Sequence, residues 1–280
     1  MESFMCEKVS IIMACYNSGK TIRKAIDSIL AQTYDNWLMI CCDDGSTDDT
    51  FDILKAYKEQ YPDKFVIIRN EKNMMLPFSL NKCLENVTTD LVARMDADDW
   101  SLPDRLEKQV GFLKEHPEYD LVGTGVTLNN GKEDFASIVK TPEPTKQTML
   151  KENAFSHATI MTYKRVYDAL GGYSLDPTAI RVEDVDLWCR FLAHGFRGYN
   201  IPDELYVVLE DTDAVKRRTL KARWNDARTR SRGYRLMGFG ITTYIKPYFS
   251  VLKSFIPTCI YKKLHAKSLK RKLSKREHIK

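Results

Sequence analysis

The sequence predicts an α/β protein with a mostly parallel sheet and helices on both of its faces. In the first hundred residues, short apolar segments bounded by turn residues alternate with amphipathic segments, as in parallel strands joined by crossover helices. An apolar share of 43% in 280 residues is sufficient for a globular core. Two acidic clusters directly follow two of the predicted strands, which places a ligand site at one edge of the sheet.

Hydrophobic periodicity predicts each element of the N-terminal part. Strands are predicted at residues 9–14, 37–42, 65–68 and 91–95, because these segments are short, apolar and bounded by turn residues. The first helix is predicted from one apolar face, formed by Ile22, Ala25, Ile26, Ile29 and Leu30. Two further helices are predicted at residues 49–61 and 77–87.

After the second acidic cluster the alternation becomes less regular. A helix is predicted from Pro103 to residue 115, then a strand at 119–128 and a hairpin turn at Asn129-Asn130-Gly131. Further helices are predicted at residues 146–153, 165–170 and 183–194, and further strands at 158–163 and 205–209.

Charge is distributed unevenly and indicates a boundary near residue 215. Residues 216–280 carry 20 Lys/Arg and 2 Asp/Glu, whereas residues 1–215 carry 23 Lys/Arg and 36 Asp/Glu. We therefore expect a body at 1–215 and a basic, amphipathic helical extension at 216–280. Interleaved aromatic and basic residues in the extension suit an anionic membrane surface, and packing on the body is the alternative. No nucleic-acid partner is expected, because no nucleic-acid-binding module accompanies the charge.

Cysteine usage and hydropathy bear on the compartment. The seven cysteines form no CxxC pair and several lie in apolar segments, which predicts buried free thiols in a reducing compartment. Residues 1–8 lack the apolar stretch of a signal peptide, and no apolar run is long enough for a transmembrane helix. We therefore expect a cytoplasmic location.

The first acidic cluster is Asp43-Asp44-Gly45-Ser46. Asp, Gly and Ser also favour turns and helix caps, so a local structural role is one interpretation. A doubled aspartate exceeds what capping needs, and a carboxylate here could accept hydrogen bonds from a nucleobase or a ribose. The nearby Tyr16 is a candidate to flank such a base, with burial in the turn as its alternative.

The second acidic cluster is Asp96-Ala97-Asp98-Asp99. Three carboxylates within four residues repel one another unless a cation or hydrogen-bond donor compensates. Hard divalent cations take oxygen ligands, so Asp96 and Asp98 are candidate ligands for Mn²⁺ or Mg²⁺ beside a diphosphate. A solvated acidic loop is the alternative.

Two further candidates lie in the second half of the chain. Glu183 and Asp184 begin a predicted helix, where the helix dipole favours acidic residues. Either carboxylate is also suited to remove the proton from an attacking hydroxyl. His157, beside a predicted strand, is a candidate for diphosphate contact or metal ligation, although a lone histidine is commonly structural.

Six motifs in order resemble glycosyltransferase family 2, the inverting enzymes with the GT-A fold. They are residues 9–17, Asp43-Asp44-Gly45-Ser46, Asp96-Ala97-Asp98-Asp99 with Pro103-Asp104-Arg105-Leu106, residues 157–166, Gly171-Gly172-Tyr173, and Glu183-Asp184-Val185-Asp186-Leu187-Trp188. The resemblance covers roughly residues 8–210. It implies a nucleotide-sugar-binding half at about 1–100 and an acceptor half at about 101–215.

The resemblance also implies roles for single residues. Asp44 is placed on the nucleobase, Asp96 near the ribose or the metal, Asp98 as the main metal ligand and Asp184 as the catalytic base. The donor would be a UDP-sugar or another nucleotide sugar, and the product a hexosyl or N-acetylhexosaminyl linkage. Similar enzymes act on lipid-linked acceptors in O-antigen and other surface-polysaccharide synthesis, which implies a peripheral position at the inner face of the cell membrane.

Two departures from the family pattern qualify this expectation. Ala14-Cys15 stands where many relatives have a proline before the Tyr-Asn pair. This changes a wall of the expected pocket and bears only on the details of donor binding. The Gln-x-x-Arg-Trp motif of processive members is absent, because Leu220 precedes Arg223-Trp224 at the glutamine position, so addition of one sugar per acceptor is expected. The alternatives are a catalytically silent glycan- or lipid-binding relative and a nucleotidylyltransferase.

Overall fold

The computed structural model describes residues 7–210 and 220–252. The strands are β1 Val9–Cys15, β2 Trp37–Asp43, β3 Phe65–Arg69, β4 Leu91–Arg94, β5 Trp100–Ser101, β6 Leu121–Asn129, β7 Asp134–Ile138, β8 Met161–Tyr163 and β9 Gly198–Leu209. The helices are α1 Ile22–Leu30, α2 Thr50–Gln60, α3 Leu76–Leu84, α4 Arg105–Glu115, α5 Lys164–Leu170, α6 Glu183–Ala193, α7 Leu220–Leu236, α8 Ile241–Ile245 and α9 Phe249–Leu252.

Within the described residues the strands form one nine-stranded sheet. Its order is β3-β2-β1-β4-β8-β6-β9-β5, with β7 paired to β6. The four N-terminal strands are all parallel, whereas β8 runs antiparallel to both β4 and β6. The predicted α/β fold is confirmed, with the antiparallel pairs confined to the C-terminal half of the sheet.

Two apolar layers cover the two faces of the sheet. The side chains of α1, α2 and α4 pack on one face, against alternate residues of β1 and β2. The helices α3, α5 and α6 cover the other face, and Tyr234 and Met237 of the C-terminal region join this layer. Because both faces are covered, β1 is buried along almost its whole length, as a parallel central strand requires.

Sheet register brings the two acidic clusters to the same edge. In the parallel pairing of β1 with β2, Cys15 lies opposite Asp43, and β4 pairs with the other side of β1. The carboxyl ends of β2 and β4 therefore flank the carboxyl end of β1. This edge is where open α/β sheets bind ligands.

Several predicted elements differ from the structure in extent. The predicted helix at residues 146–153 is only a 3₁₀ turn, Thr148–Leu150, because Met149 is its single buried side chain and no apolar face forms. The predicted strand at 158–163 is confined to β8, because Thr159 bonds back to Ser156 in a 3₁₀ turn. The predicted strand at 205–209 is the end of the much longer β9.

Two smaller predictions are confirmed. The hairpin turn joins β6 to β7, with Gly131 at φ 86°. The five cysteines of the described residues are buried and free, namely Cys15, Cys41, Cys42, Cys83 and Cys189. Cys6 and Cys259 lie outside the described residues.

The basic C-terminal part contributes a helix that packs on the body. Tyr234 and Met237 are buried in the apolar layer that contains the α6 side chains, and Ala227 is also buried. Thr229 donates to the carbonyl oxygen of Thr178, and Arg232 bonds both Asp176 and Asp186. Residues 211–219 and 253–280, which carry much of the predicted basic extension, lie outside the described residues. Among the helices that are described, none is long and apolar enough to cross a bilayer.

Candidate functional site

The carboxylate of Asp44 organises the loop between β3 and α3. Its Oδ1 accepts hydrogen bonds from the Asn70 side chain and the Met74 backbone N–H, both at 2.8 Å. Its Oδ2 accepts the Met75 N–H at 2.9 Å. A carboxylate oxygen has two acceptor positions, so Oδ2 can still accept a hydrogen bond from a ligand.

Met75 has a strained backbone that this contact helps to hold. Its φ of 77° and ψ of 157° lie in a region that is almost restricted to glycine. The Met75 N–H is fixed by Asp44 and also lies 3.0 Å from the Asn73 side-chain oxygen. The strained residue is at the start of α3, beside the candidate pocket.

A pocket of about 240 Å³ opens at the carboxyl end of β1. The residues that line this pocket include Tyr16, Asp44, Arg181 and Glu183. Tyr16 is 46% exposed, so its ring is available to a ligand rather than buried in the turn. The pocket joins the first acidic cluster to the beginning of α6.

Asp43 is directed away from solvent and supports the turn. It is fully buried, its Oδ1 accepts the Ser46 N–H at 3.3 Å, and its Oδ2 lies 3.1 Å from Arg69 Nε. Asp43 and Asp44 therefore differ in position, because only Asp44 lines the pocket.

The second acidic cluster gathers three carboxylates. One oxygen from each of Asp96, Asp98 and Asp99 lies within 4.8 Å of the others. This oxygen-only donor set fits a hard divalent cation. Asp98 is exposed, Asp96 is partly buried and Asp99 is buried, so the set is reached from the Asp98 side.

Asp96 and Asp99 are each fixed by protein groups. The Arg94 guanidinium donates to both Asp96 oxygens, at 2.9 and 2.5 Å. Asp99 Oδ1 accepts the Leu209 N–H at 2.9 Å. Burial raises the pKa of Asp99 to about 8, helped by the charges of Asp96 and Asp98. A cation bound there would favour the ionised carboxylate.

A second buried arginine ties α4 to the end of β4. Arg105 is fully buried, and its Nη2 donates to the Arg94 carbonyl oxygen at 2.7 Å. Its Nη1 donates to Ser101 Oγ at 2.9 Å. Burial lowers the pKa of Arg105 to about 10, so the guanidinium remains charged at neutral pH. Arg105 thereby fixes the segment on which the second acidic cluster is built.

Glu183 and Asp184 begin α6 but face different surroundings. Glu183 lines the pocket, and within the described residues its buried Oε2 has no hydrogen-bond partner. Asp184 Oδ2 accepts from the Asn153 side chain at 2.9 Å. Burial raises the pKa of both carboxyls above their ordinary values. The Arg94 charge opposes this shift at both residues, and the Arg230 charge also opposes it at Asp184.

His157 packs beside α6, near the charge of Arg94. Its Nε2 is 2.9 Å from the Tyr173 hydroxyl, and its ring meets that of Trp188 edge-on. Burial lowers the pKa of His157 well below its usual value, and the Arg94 charge adds to this. The imidazole is therefore neutral near pH 7, and Nε2 is engaged by Tyr173.

Several residues of the site carry no signal in the sequence, because their contacts are tertiary. Arg94 lies within an apolar strand segment and carries no motif signal of its own. Asn153 and Arg230 are 77 positions apart, yet Arg230 Nη2 donates to Asn153 Oδ1 at 3.0 Å. Asp99 belongs to the acidic cluster noted in the sequence, and only the geometry adds it to the candidate ligands.

Comparisons with known proteins agree with this architecture. The sequence profile described as glycosyl transferase family 2 matches residues 10–170. The chain is 41% identical over 262 residues to the putative glycosyltransferase EpsE of Bacillus subtilis (strain 168), covering 93% of this chain and 94% of the relative. It is 31% identical over 214 residues to the UDP-Glc:alpha-D-GlcNAc-diphosphoundecaprenol beta-1,3-glucosyltransferase WfaP of Escherichia coli, covering 72% and 78%.

A solved structure shares the fold. The crystal structure of S. aureus TarS 1-349 in complex with UDP superposes with a TM-score of 0.68 and 18% identity, covering 90% of this chain and 73% of that chain. The sheet, the carboxylates at its edge and these likenesses together define a glycosyltransferase with the GT-A fold. The chain belongs to glycosyltransferase family 2.

Proposed function

We propose that the protein transfers one sugar, with inversion, from a UDP-sugar to a hydroxyl of a lipid-linked glycan in surface-polysaccharide synthesis. The observation that carries this proposal is the arrangement at the sheet edge. A three-carboxylate set follows β4, and the pocket at the carboxyl end of β1 is lined by Asp44 and by Glu183 of the acidic pair that begins α6. The division at about residue 215, and the donor and acceptor halves within it, are part of the same proposal.

The donor assignment rests on the pocket. Asp44 Oδ2 retains an acceptor position for the imide N–H of uracil, and the exposed Tyr16 ring can stack on a base. TarS was solved with UDP, and the name of WfaP specifies UDP-Glc, which supports a uridine nucleotide. Asp43 supports the turn that presents Asp44.

The metal assignment rests on the oxygen-only donor set. Asp98 is the main candidate ligand for Mn²⁺ or Mg²⁺, because it is exposed beside two fixed carboxylates. Asp96 and Asp99 complete the set. When bound, such an ion neutralises charge on the leaving diphosphate. His157 is engaged by Tyr173, which favours a supporting role over metal ligation.

The catalytic assignment rests on α6. A sugar hydroxyl becomes a competent nucleophile as a carboxylate takes its proton, and a raised pKa makes a carboxylate a better base near neutral pH. Burial raises the pKa of Asp184 in this way. We assign the base role to Asp184, and contact with the transferred sugar to Glu183, which lines the pocket.

The acceptor and location are inferred from the C-terminal helices and the relatives. The name of WfaP specifies an undecaprenyl-diphosphate acceptor. In the described C-terminal part, Trp224, Ile241 and Phe249 are 48%, 62% and 62% exposed, among exposed basic residues such as Lys221 and Lys246. This composition suits peripheral attachment to an anionic membrane from the cytoplasmic side, with no role for nucleic acid.

A donor screen by calorimetry tests the central proposal. The full chain is titrated with UDP-, GDP- and dTDP-sugars in Mn²⁺ and then in EDTA. Metal-dependent binding of UDP-sugars that is lost in Asp98→Ala is expected. Donor binding without transfer to a synthetic lipid-diphosphate-sugar, or to any sugar or protein acceptor tried, would favour a catalytically silent relative. Pyrophosphate release from UTP and a sugar phosphate would favour a nucleotidylyltransferase.

Vesicle flotation tests the membrane assignment. The full chain is expected to float with vesicles containing phosphatidylglycerol and to remain behind with phosphatidylcholine alone. Phe249→Ser combined with Ile241→Ser is expected to weaken flotation. A chain that stays off phosphatidylglycerol vesicles at moderate salt would reject the assignment.

A further inference from the structure

A hydrogen-bonded relay connects α7 to Asp184. Asp226 Oδ1 accepts from Arg230 Nε at 2.9 Å, and Arg230 Nη2 donates to Asn153 Oδ1 at 3.0 Å. The Asn153 amide nitrogen then donates to Asp184 Oδ2 at 2.9 Å. The relay therefore joins three separate segments. Its cation, Arg230, lies outside residues 10–170, which are the part matched by the family profile.

The chemistry of the relay fixes the direction of each hydrogen bond. A guanidinium has donors only, so the Asn153 oxygen must face Arg230. The Asn153 NH₂ group must then face Asp184, and it can only donate. Asp184 Oδ2 is thereby required to be an acceptor, as it is in the ionised carboxylate.

Docking of α7 does not depend on Arg230 alone. Arg232 bonds Asp186 Oδ1 at 2.7 Å and also contacts Asp176, and the Tyr234 hydroxyl donates to the Met149 carbonyl oxygen at 2.8 Å. Gly233 lies directly against Cys189 of α6, where a Cβ would fall 2.3 Å from Sγ. These contacts hold the helix in place, so the bond from Arg230 to Asn153 is available for a further role.

We propose that Arg230 is a positioning residue, which acts through Asn153 to orient the Asp184 carboxylate for proton removal from the acceptor hydroxyl. The inference rests on the proposed base role of Asp184. It makes the C-terminal helix a component of the active site, although this helix lies in the part of the chain predicted from composition to be an extension.

The charged groups around Asp184 determine what removal of Arg230 does. Burial raises the pKa of Asp184, Arg230 and Arg94 oppose this shift, and Asp226 adds to it. Glu183, the adjacent carboxylate on α6, is a further titratable neighbour. Loss of the Arg230 charge leaves burial and the acidic neighbours opposed by Arg94, so the pKa of Asp184 must rise.

The test titrates Asp184 directly in the full chain. Aspartate labelled with ¹³C at the side-chain carboxyl is followed by NMR against pH, and Asp184→Asn assigns the resonance. Arg230→Gln and Asn153→Ala are expected to move the Asp184 midpoint to higher pH. Arg232→Gln is the matched control, because it removes a cation of the same helix without breaking a bond of the relay, and its midpoint is expected to move less than that of either relay variant.

Transfer kinetics provide the second measurement. Both relay variants are expected to lose about 10- to 100-fold in kcat with little change in donor KM, as for a misplaced catalytic group. Arg230→Lys should retain part of the rate, because the charge remains while the planar donor geometry is lost. An unchanged Asp184 midpoint in both relay variants, or an equal shift in Arg232→Gln, would overturn the inference. Full transfer activity in Asp184→Asn would instead reject the base role itself.

Discussion

The Arg94 guanidinium holds the Asp96 carboxylate through two parallel hydrogen bonds, Nη1 to Oδ2 at 2.9 Å and Nη2 to Oδ1 at 2.5 Å. The Arg94 side chain is 2% exposed and that of Asp96 is 29% exposed. The arginine is therefore a buried charge whose partner lies at the edge of the site. Asp96 has a structural role beside the one assigned by family resemblance.

Asp96→Asn and Asp98→Asn are expected to differ in stability. Removing the Asp96 charge leaves Arg94 buried without its counter-ion, which should cost roughly 3 kcal/mol in the free energy of unfolding. Asp98 is exposed beside two other carboxylates, so its substitution should change stability by less than about 0.5 kcal/mol. Urea unfolding in EDTA measures both. Equal losses in the two variants would contradict a special role for the Arg94–Asp96 pair.

Cation binding is expected to stabilise the folded chain through the three-carboxylate set. A ligand at a hundred times its Kd adds about 2.7 kcal/mol to the free energy of unfolding. Mn²⁺ should therefore raise the thermal midpoint of the unaltered chain, and EDTA should reverse the rise. Asp98→Ala is expected to lose the effect. Glu118→Ala, which removes an exposed carboxylate outside the set, is the control and should respond normally. A Mn²⁺ response that persists in Asp98→Ala would place the cation elsewhere.

Met75→Gly is expected to stabilise the protein. The Met75 backbone at φ 77° and ψ 157° costs about 1–3 kcal/mol for a residue with a side chain. Glycine removes this strain, but it also makes the unfolded chain more flexible. That flexibility lowers the free energy of unfolding by roughly 0.5–1 kcal/mol. The net gain, about 1 kcal/mol, is measured by urea unfolding. Met74→Gly serves as the control, because Met74 has no positive φ and should only be destabilised. A loss at Met75 equal to that at Met74 would show that the conformation carries no strain.

Elements marked by local apolar and turn residues could be predicted from the sequence, whereas elements that depend on tertiary contacts could not. The strands β1, β2 and β4 are apolar runs bounded by turn residues, so their positions and the convergence of Asp44 and Asp98 at one edge could be predicted. The 3₁₀ turn at Thr148–Leu150 could not, because its only anchor is the tertiary burial of Met149. In β9, Pro202 and Asp203 interrupt the apolar pattern, and the strand continues through a register shift opposite β6.

Buried cations were the main component of the site that the sequence did not reveal. An arginine in an apolar run gives no sign of its partner, and Arg94 contacts a carboxylate only two residues away because β4 ends between them. The link from Arg230 to Asn153 depends on how α7 docks. The net charge of the C-terminal part predicted an electrostatic surface, whereas this arginine is directed inward toward Asp184.

His157 is expected to make folding stability depend on pH. In the unfolded chain its pKa is about 6.5, and burial lowers it well below that in the folded protein. The unfolded state then binds more protons between these two values. The contribution of His157 to the free energy of unfolding is therefore fully present above about pH 6.5. It is lost as the pH falls toward the folded pKa, and the loss is at most about 1.4 kcal/mol per pH unit.

The His157 effect is measured as a difference between two proteins. His157→Gln retains a hydrogen-bonding partner for Tyr173 and removes the titration. Urea unfolding from about pH 8 to 5 should show a steeper loss in the unaltered chain than in the variant. Glu183, Asp184 and Asp99 have raised pKa values, so their contributions have the opposite sign, but they are common to both proteins. Parallel curves would mean that the imidazole remains accessible to protons when folded.

Asp184→Asn and Glu183→Gln are expected to separate base catalysis from binding at the pocket. Asp184→Asn retains the hydrogen bond from Asn153 through its side-chain oxygen but cannot take a proton, so transfer should fall by about 10²-fold or more, within the range for loss of a general base. Donor Kd should hardly change, because Asp184 does not line the pocket. Glu183→Gln alters a pocket wall whose buried oxygen lacks a partner, so donor Kd and KM should change together with a smaller loss in kcat. If Glu183→Gln abolished transfer while Asp184→Asn retained it, the base would be Glu183, and the relay from α7 would end on a residue outside the chemistry.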